Sequence, residues 1–125
     1  MAARVPIVED DADLHLSLAL RLQSRGYKVM SAMNGAEAVT VATTETPDVI
    51  LLDIGLPDRS GHKVARELAE HTGTRQIPII YLTARHELNH RVEAAEMGAA
   101  GYLVKPCEPD RLMLAIDAAV QSAGL

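Results

Sequence analysis

Glu9, Asp10, Asp53, Thr83 and Lys105 are the residues whose types and positions could together do chemistry. Each lies just beyond a short apolar run: Val5 to Val8, Val49 to Leu52, Ile77 to Leu82, and Tyr102 to Val104. Three carboxylates brought close together repel one another unless a cation sits among them, and Mg²⁺ is the hard ion that takes such oxygen ligands. A lysine ammonium and a threonine hydroxyl suit phosphoryl oxygens. The set therefore suits a Mg²⁺ ion and a phosphoryl group held side by side.

These residues are far apart along the chain, so the elements between them must bring them together. Runs of this length, bounded by turn residues and separated by helical patterns, read as buried parallel strands. The carboxyl ends of parallel strands share one edge of a sheet, where a crevice can hold a ligand. Leu14, Leu18 and Leu22 predict a helix from about Ala12 to Arg25, closed by Gly26 as its C′ residue. Tyr27 to Ser31 alternates and predicts an edge strand. Asn34 is placed to cap a helix through Ala36, Val39 and Ala42 that stops before Pro47. Further helices are expected from about His62 to His71 (Val64, Ala65 and Leu68 inward), over 87–97, and from Glu108 onward with Leu112, Ala115, Ile116, Ala119 and Val120 inward. Five strand–helix alternations predict an α/β domain, 1–125, with a parallel sheet and helices on both faces. Pro6 removes a donor from a strand that should be central, so a local irregularity is expected there.

Composition narrows the possibilities. Hydrophobic residues make up 48% of the 125-residue chain, which argues against disorder. No apolar stretch approaches the ~18 residues of a membrane span. A net charge of −5, with no Trp or Phe, argues against direct nucleic-acid binding. Cys107 has no partner for an internal disulfide, and the opening residues run straight into a strand without a signal-peptide pattern. A reducing cytoplasm is the expected setting. The chain stops soon after its last helix, which leaves both a single-domain protein and a piece of a longer one open.

Ile7-Val8-Glu9-Asp10-Asp11, Asp53-Ile54-Gly55-Leu56-Pro57 with Gly61, Leu82-Thr83-Ala84, and Tyr102-Leu103-Val104-Lys105-Pro106 resemble the receiver domain of two-component response regulators. The resemblance covers essentially the whole chain. It implies a doubly wound, flavodoxin-like (βα)5 fold of strand order 2-1-3-4-5. It also implies that Asp53 accepts a phosphoryl group from a phosphohistidine on a histidine kinase or histidine phosphotransfer protein. Mg²⁺ would be held by Asp10, Asp53 and the carbonyl of Gly55, with Glu9 acting directly or through water. Lys105 and Thr83 would meet phosphoryl oxygens. Thr83 and Tyr102 would form a switch, and the helix at 87–97, the last strand and the last helix would present the result to an output domain or protein. A cis Lys105-Pro106 bond is implied as well. Such a domain catalyses only its own phosphorylation and dephosphorylation.

Rival readings meet specific objections. A phosphatase using Asp53 as nucleophile needs a second acid two residues on, where Gly55 stands. A flavin carrier needs stacking aromatics and a phosphate-cradling loop. A degenerate receiver acting only as an interaction module is the remaining alternative, although all five site residues are present. Asp11 reads as a helix cap, Cys107 as a buried or half-buried filler, and His86 with His90 as surface histidines rather than a metal clip. Arg85 and Gly55 flank the acceptor, where side chains would tune loss of the phosphoryl group. Ala99-Ala100-Gly101 lacks the acidic pair of receivers that dimerise through their last two helices. Leu16 and Leu20 lie opposite the buried stripe of the first helix and should be exposed, where they could dock the phosphoryl donor. The Asp53 carboxylate is expected near Asp10 and Lys105 and open to solvent.

Overall fold

Apolar side chains that alternate along each strand are sorted onto two faces of one sheet. β1 (Arg4–Val8), β2 (Lys28–Ala32), β3 (Ile50–Asp53), β4 (Ile79–Thr83) and β5 (Gly101–Val104) lie parallel in the expected order, β2-β1-β3-β4-β5. The structure, a computed structural model, describes residues 2–84 and 99–122. Successive side chains of a strand point to opposite faces. Val8, Ile50 and Leu52 therefore join one core with α2 (Gly35–Glu45) and α3 (Gly61–Ala69), while Val5, Ile7 and Leu51 join another with α1 (Ala12–Ser24) and α4 (Pro109–Ser122). The helix predicted over 87–97 lies outside the described residues, as do Arg85, His86 and His90.

The helix ends obey their local signals. Asp11 accepts from the Leu14 N–H at 3.1 Å, Asn34 from Glu37 at 2.9 Å and Ser60 from Lys63 at 3.2 Å, each satisfying a first-turn donor that the helix cannot. Gly26 has a φ of +86°, and it and Tyr27 donate back to the Gln23 and Leu22 carbonyls at 3.0 and 3.1 Å. Leu18 and Leu22 are buried, and Leu16 and Leu20 are 60% and 57% exposed, as the helical spacing requires. Cys107 is half-buried against the α1/α4 core. The Lys105-Pro106 bond is cis.

Two boundaries shift by two residues, and several others by one. β4 starts at Ile79, because the Ile77 N–H turns back onto the Thr74 carbonyl at 3.1 Å and Pro78 has no N–H to give. α3 ends at Ala69, where the buried Thr74 hydroxyl donates to the Leu68 carbonyl at 2.6 Å and takes up one of the helix's terminal acceptors.

β1 runs unbroken through Pro6, which registers with Met30 of β2, so the irregularity expected at Pro6 lies instead in the segment before β3. Glu9 donates to Ala32 of β2, so the even-numbered residues of β1, Pro6 among them, face β3. Registered pairing with β3 begins only at Ile7 with Leu51. Asp48 donates to the Arg4 carbonyl, yet Ile50 donates to Pro78 on the other side. Residues two apart in a regular parallel strand face the same neighbour, so the chain changes phase between Asp48 and Ile50.

At the amino edge of the sheet, each of three acids has a donor partner. Asp117 of α4 accepts from the Tyr27 hydroxyl and pairs with Arg25 at 2.5 Å. Burial, with the hydrogen bond to Asp117, pushes the Tyr27 phenol up to about 12. Asp48 accepts from the Arg4 N–H at 2.7 Å, and the Arg4 guanidinium reaches the Glu45 carbonyl at 2.7 Å and its carboxylate at 3.7 Å.

Candidate functional site

The carboxyl edge gathers the polar residues that end the strands. Glu9 and Asp10 follow β1, Asp53 ends β3, Thr83 ends β4 and Lys105 follows β5. One carboxylate oxygen from each of Glu9, Asp10 and Asp53 lies within 4.8 Å of the others. The Lys105 ammonium is 2.5 Å from Glu9 Oε1 and 3.5 Å from Asp53 Oδ2. Thr83 is the buried neighbour of both walls. The Leu82 carbonyl beside it accepts from Ile54, and its own carbonyl accepts from Lys105 at 2.6 Å. All five residues singled out from the sequence therefore converge.

Their exposures differ. Glu9 and Asp53 are buried, at 1% and 5%, whereas Asp10, Gly55 and Ala84 are exposed around them. Asp53 is thus more covered than expected. Four strand ends close about it, so it forms the floor of a cleft whose rim is made of Asp10, Gly55 and Ala84. Burial pushes the Glu9 carboxyl above its ordinary value despite its bond to Lys105, and the Asp53 charge adds to the rise. Burial alone would lower the Lys105 ammonium, but hydrogen bonding to Glu9 and the charges of Asp53 and Glu9 outweigh it and raise its pKa. Among the described residues, the carboxylate set therefore has one firm cation, Lys105.

The loop after Asp53 is built to approach it closely. Gly55 donates its N–H to Asp53 Oδ1 at 3.3 Å, and Gly61 donates to the Ile54 carbonyl at 2.8 Å. A Cβ at Gly61 would lie 2.5 Å from the Asp53 carbonyl oxygen and 2.9 Å from Ile54 Cα, so only glycine fits against that backbone.

Three supporting residues escaped the sequence reading. Asp58 accepts from the Gly35 and Ala36 N–H groups at 2.7 and 3.0 Å, which holds its carboxyl below the usual range. Arg59 makes a two-pronged bond to Glu67 at 2.7 Å on each prong and lies 3.4 Å from Asp58. In sequence, Asp58 after Pro57 reads as a turn residue, and nothing local signals a partner on another helix. His15, buried on α1, contacts the Glu9 carbonyl at 2.8 Å and the Ser31 hydroxyl at 2.9 Å. Its spacing from Leu18 and Leu22 places it on the inward stripe, a signal that was available.

The fold and this constellation are those of a receiver module, and comparison with known proteins agrees. A model of the response regulator receiver domain matches residues 5–117. The phosphate regulon transcriptional regulatory protein PhoB of Pseudomonas aeruginosa is 37% identical over 118 residues, covering 94% of this chain and 52% of that protein. Protein PilH of the same organism is 34% identical over 116 residues, covering 93% of this chain and 96% of PilH. The receiver domain of a sensor histidine kinase from P. aeruginosa, solved with a magnesium ion coordinated in its active site cleft, superposes with a TM-score of 0.88 at 29% identity, covering 97% of this chain and 99% of that one. The chain belongs to the response regulator receiver domain family of two-component systems. It spans about half the length of PhoB and nearly all of PilH. No helix among the described residues is long and apolar enough to cross a membrane.

Proposed function

We propose that this domain takes a phosphoryl group on Asp53 from a phosphohistidine of a histidine kinase or histidine phosphotransfer protein. The observation that carries the reading is the balance of charge: three carboxylates lie within 4.8 Å, and among the described residues Lys105 is the one ammonium that pairs with them. The donor set fits Mg²⁺, which prefers carboxylate and carbonyl oxygens and keeps waters of its own. Asp10, Asp53 and the Gly55 carbonyl would hold it, with Glu9 direct or through water. Bound there, it would offset the charge of the acids and of the incoming phosphoryl group.

The chain's own groups do the rest. Asp53 forms the O–P bond as the P–N bond of the donor breaks, and the imidazole leaves with its partner. Lys105 neutralises one phosphoryl oxygen, and the Thr83 hydroxyl donates to another. Thr83 shares its strand pair with β5, so its movement reaches Tyr102, which packs at the edge of the α2/α3 core. That coupling is the proposed switch for a downstream output domain or protein. The domain turns over no metabolite, and its proposed location is the cytoplasm. The exposed Leu16 and Leu20, on the helix that follows the acid pair, are proposed to dock the donor. Replacing both with serine should slow transfer from the donor and leave labelling by acetyl phosphate unchanged.

Incubation with Mg²⁺ and acetyl phosphate, followed by peptide mass spectrometry, tests the reading. The expected result is one phosphoryl group on Asp53, absent in Asp53→Asn and without Mg²⁺. An unmodified Asp53 would return the chain to an interaction module.

A further inference from the structure

We infer that His15 is a positioning residue for the acid cluster, holding the Glu9–Asp10 peptide so that both carboxylates face Asp53 before a divalent ion arrives. The inference rests on the Mg²⁺ reading above. His15 is 6% exposed, with Nδ1 2.8 Å from the Glu9 carbonyl oxygen and Nε2 2.9 Å from Ser31 Oγ. A carbonyl oxygen only accepts, so Nδ1 carries the proton and donates, and in the neutral ring Nε2 accepts from the Ser31 hydroxyl. The Glu9 N–H meanwhile donates to Ala32 at 3.0 Å. Glu9 is thus held at both ends of its backbone, directly by β2 and through an imidazole braced on β2.

This matters most for Asp10. The Glu9 carbonyl and the Asp10 N–H belong to one planar peptide, so holding the carbonyl sets the direction in which the chain enters Asp10. Among the described residues no hydrogen bond holds the Asp10 carboxylate, which is exposed, so its nearness to Asp53 comes from the backbone. Glu9 is further tied by Lys105 and by the Asp11 N–H, which donates to Glu9 Oε2 at 3.1 Å. Repulsion among the acids pushes the unanchored Asp10 outward, and the imidazole resists that push.

Calorimetric titration of Mg²⁺ into the full chain, run beside thermal melts, tests this with three variants. His15→Asn keeps an N–H near the position of Nδ1, His15→Leu fills the space with no donor, and Ser31→Ala frees the far side of the ring. Supporting residues around a metal site typically change affinity 10- to 100-fold, so His15→Leu should raise the Mg²⁺ Kd ~10-fold, Ser31→Ala ~3-fold, and His15→Asn less than ~3-fold. A purely structural role would lower Tm and leave Kd alone. Wild-type affinity in His15→Leu, or equal loss in His15→Asn and His15→Leu, overturns the inference. Should His15→Leu not fold, an unchanged Kd in Ser31→Ala overturns it and a raised one supports it. A wild-type chain that binds no Mg²⁺ would instead overturn the metal reading and this inference with it.

Discussion

The two edges of the sheet treat charge in opposite ways. At the amino edge, Asp117 is answered by Tyr27 and Arg25, and Asp48 and Glu45 by Arg4. At the carboxyl edge, Glu9, Asp10 and Asp53 crowd together, and among the described residues Lys105 is the one cation paired with them. Matched charges hold elements together, tying α4 to the turn before β2 and β1 to the segment before β3. Unmatched charges cost stability and leave a place for something positive. On the proposed reading, the same residue type thus serves structure at one edge and binding at the other.

The comparison can be broken or sharpened by substitution. The largest effect should come from Gly61→Ala, where the clash is with backbone and charge plays no part. Overpacking there should cost about 3 kcal/mol by denaturant unfolding and disturb the acceptor loop. Next is Asp117→Ala, which removes the partner of both Tyr27 and Arg25 and should cost about 2 kcal/mol. Asp10→Asn should act with the opposite sign. In EDTA it should raise stability by about 1 kcal/mol by relieving repulsion, and excess Mg²⁺ should cancel that gain by stabilising the wild type alone. If Asp10→Asn is destabilising in EDTA, the contrast between the edges is wrong.

The smallest effect near neutral pH belongs to Tyr27. Its phenol is raised from 10.0 to about 12 in the folded chain. The folded state therefore holds the proton more tightly, and this contribution is complete below the unfolded value of 10.0 and lost as pH rises through about 12. Melts across that interval should show an alkaline decline that Tyr27→Phe lacks.

Much of this was legible in the sequence because the signals are local. Four apolar runs, the Asp11, Asn34 and Gly26 caps, and polar residues at the strand ends placed the sheet and all five site residues. The reading failed where partners come from distant segments. Nothing near Asp58 announces the start of α2, 23 residues upstream. Nothing near Pro6 says that the adjustment falls at Asp48. The cover over Asp53 is a product of closure by four strand ends, which no single run encodes. His15 was missed for a different reason: its spacing marked it as buried, but a buried polar residue was not asked what it bonds.

The bonds of Asp58 and Arg59 bear on how a signal could leave this cleft. They tie the loop after Asp53 to the start of α2 and to Glu67 on α3, so that wall is braced on two helices at once. On the other side, Thr83 and Lys105 are joined through the strand ladder, the Lys105 N–H donating to the Thr83 carbonyl at 2.6 Å. Under the proposed phosphorylation of Asp53, the wall braced on two helices would hold still, and displacement would have to run toward β5 and the surface beyond it.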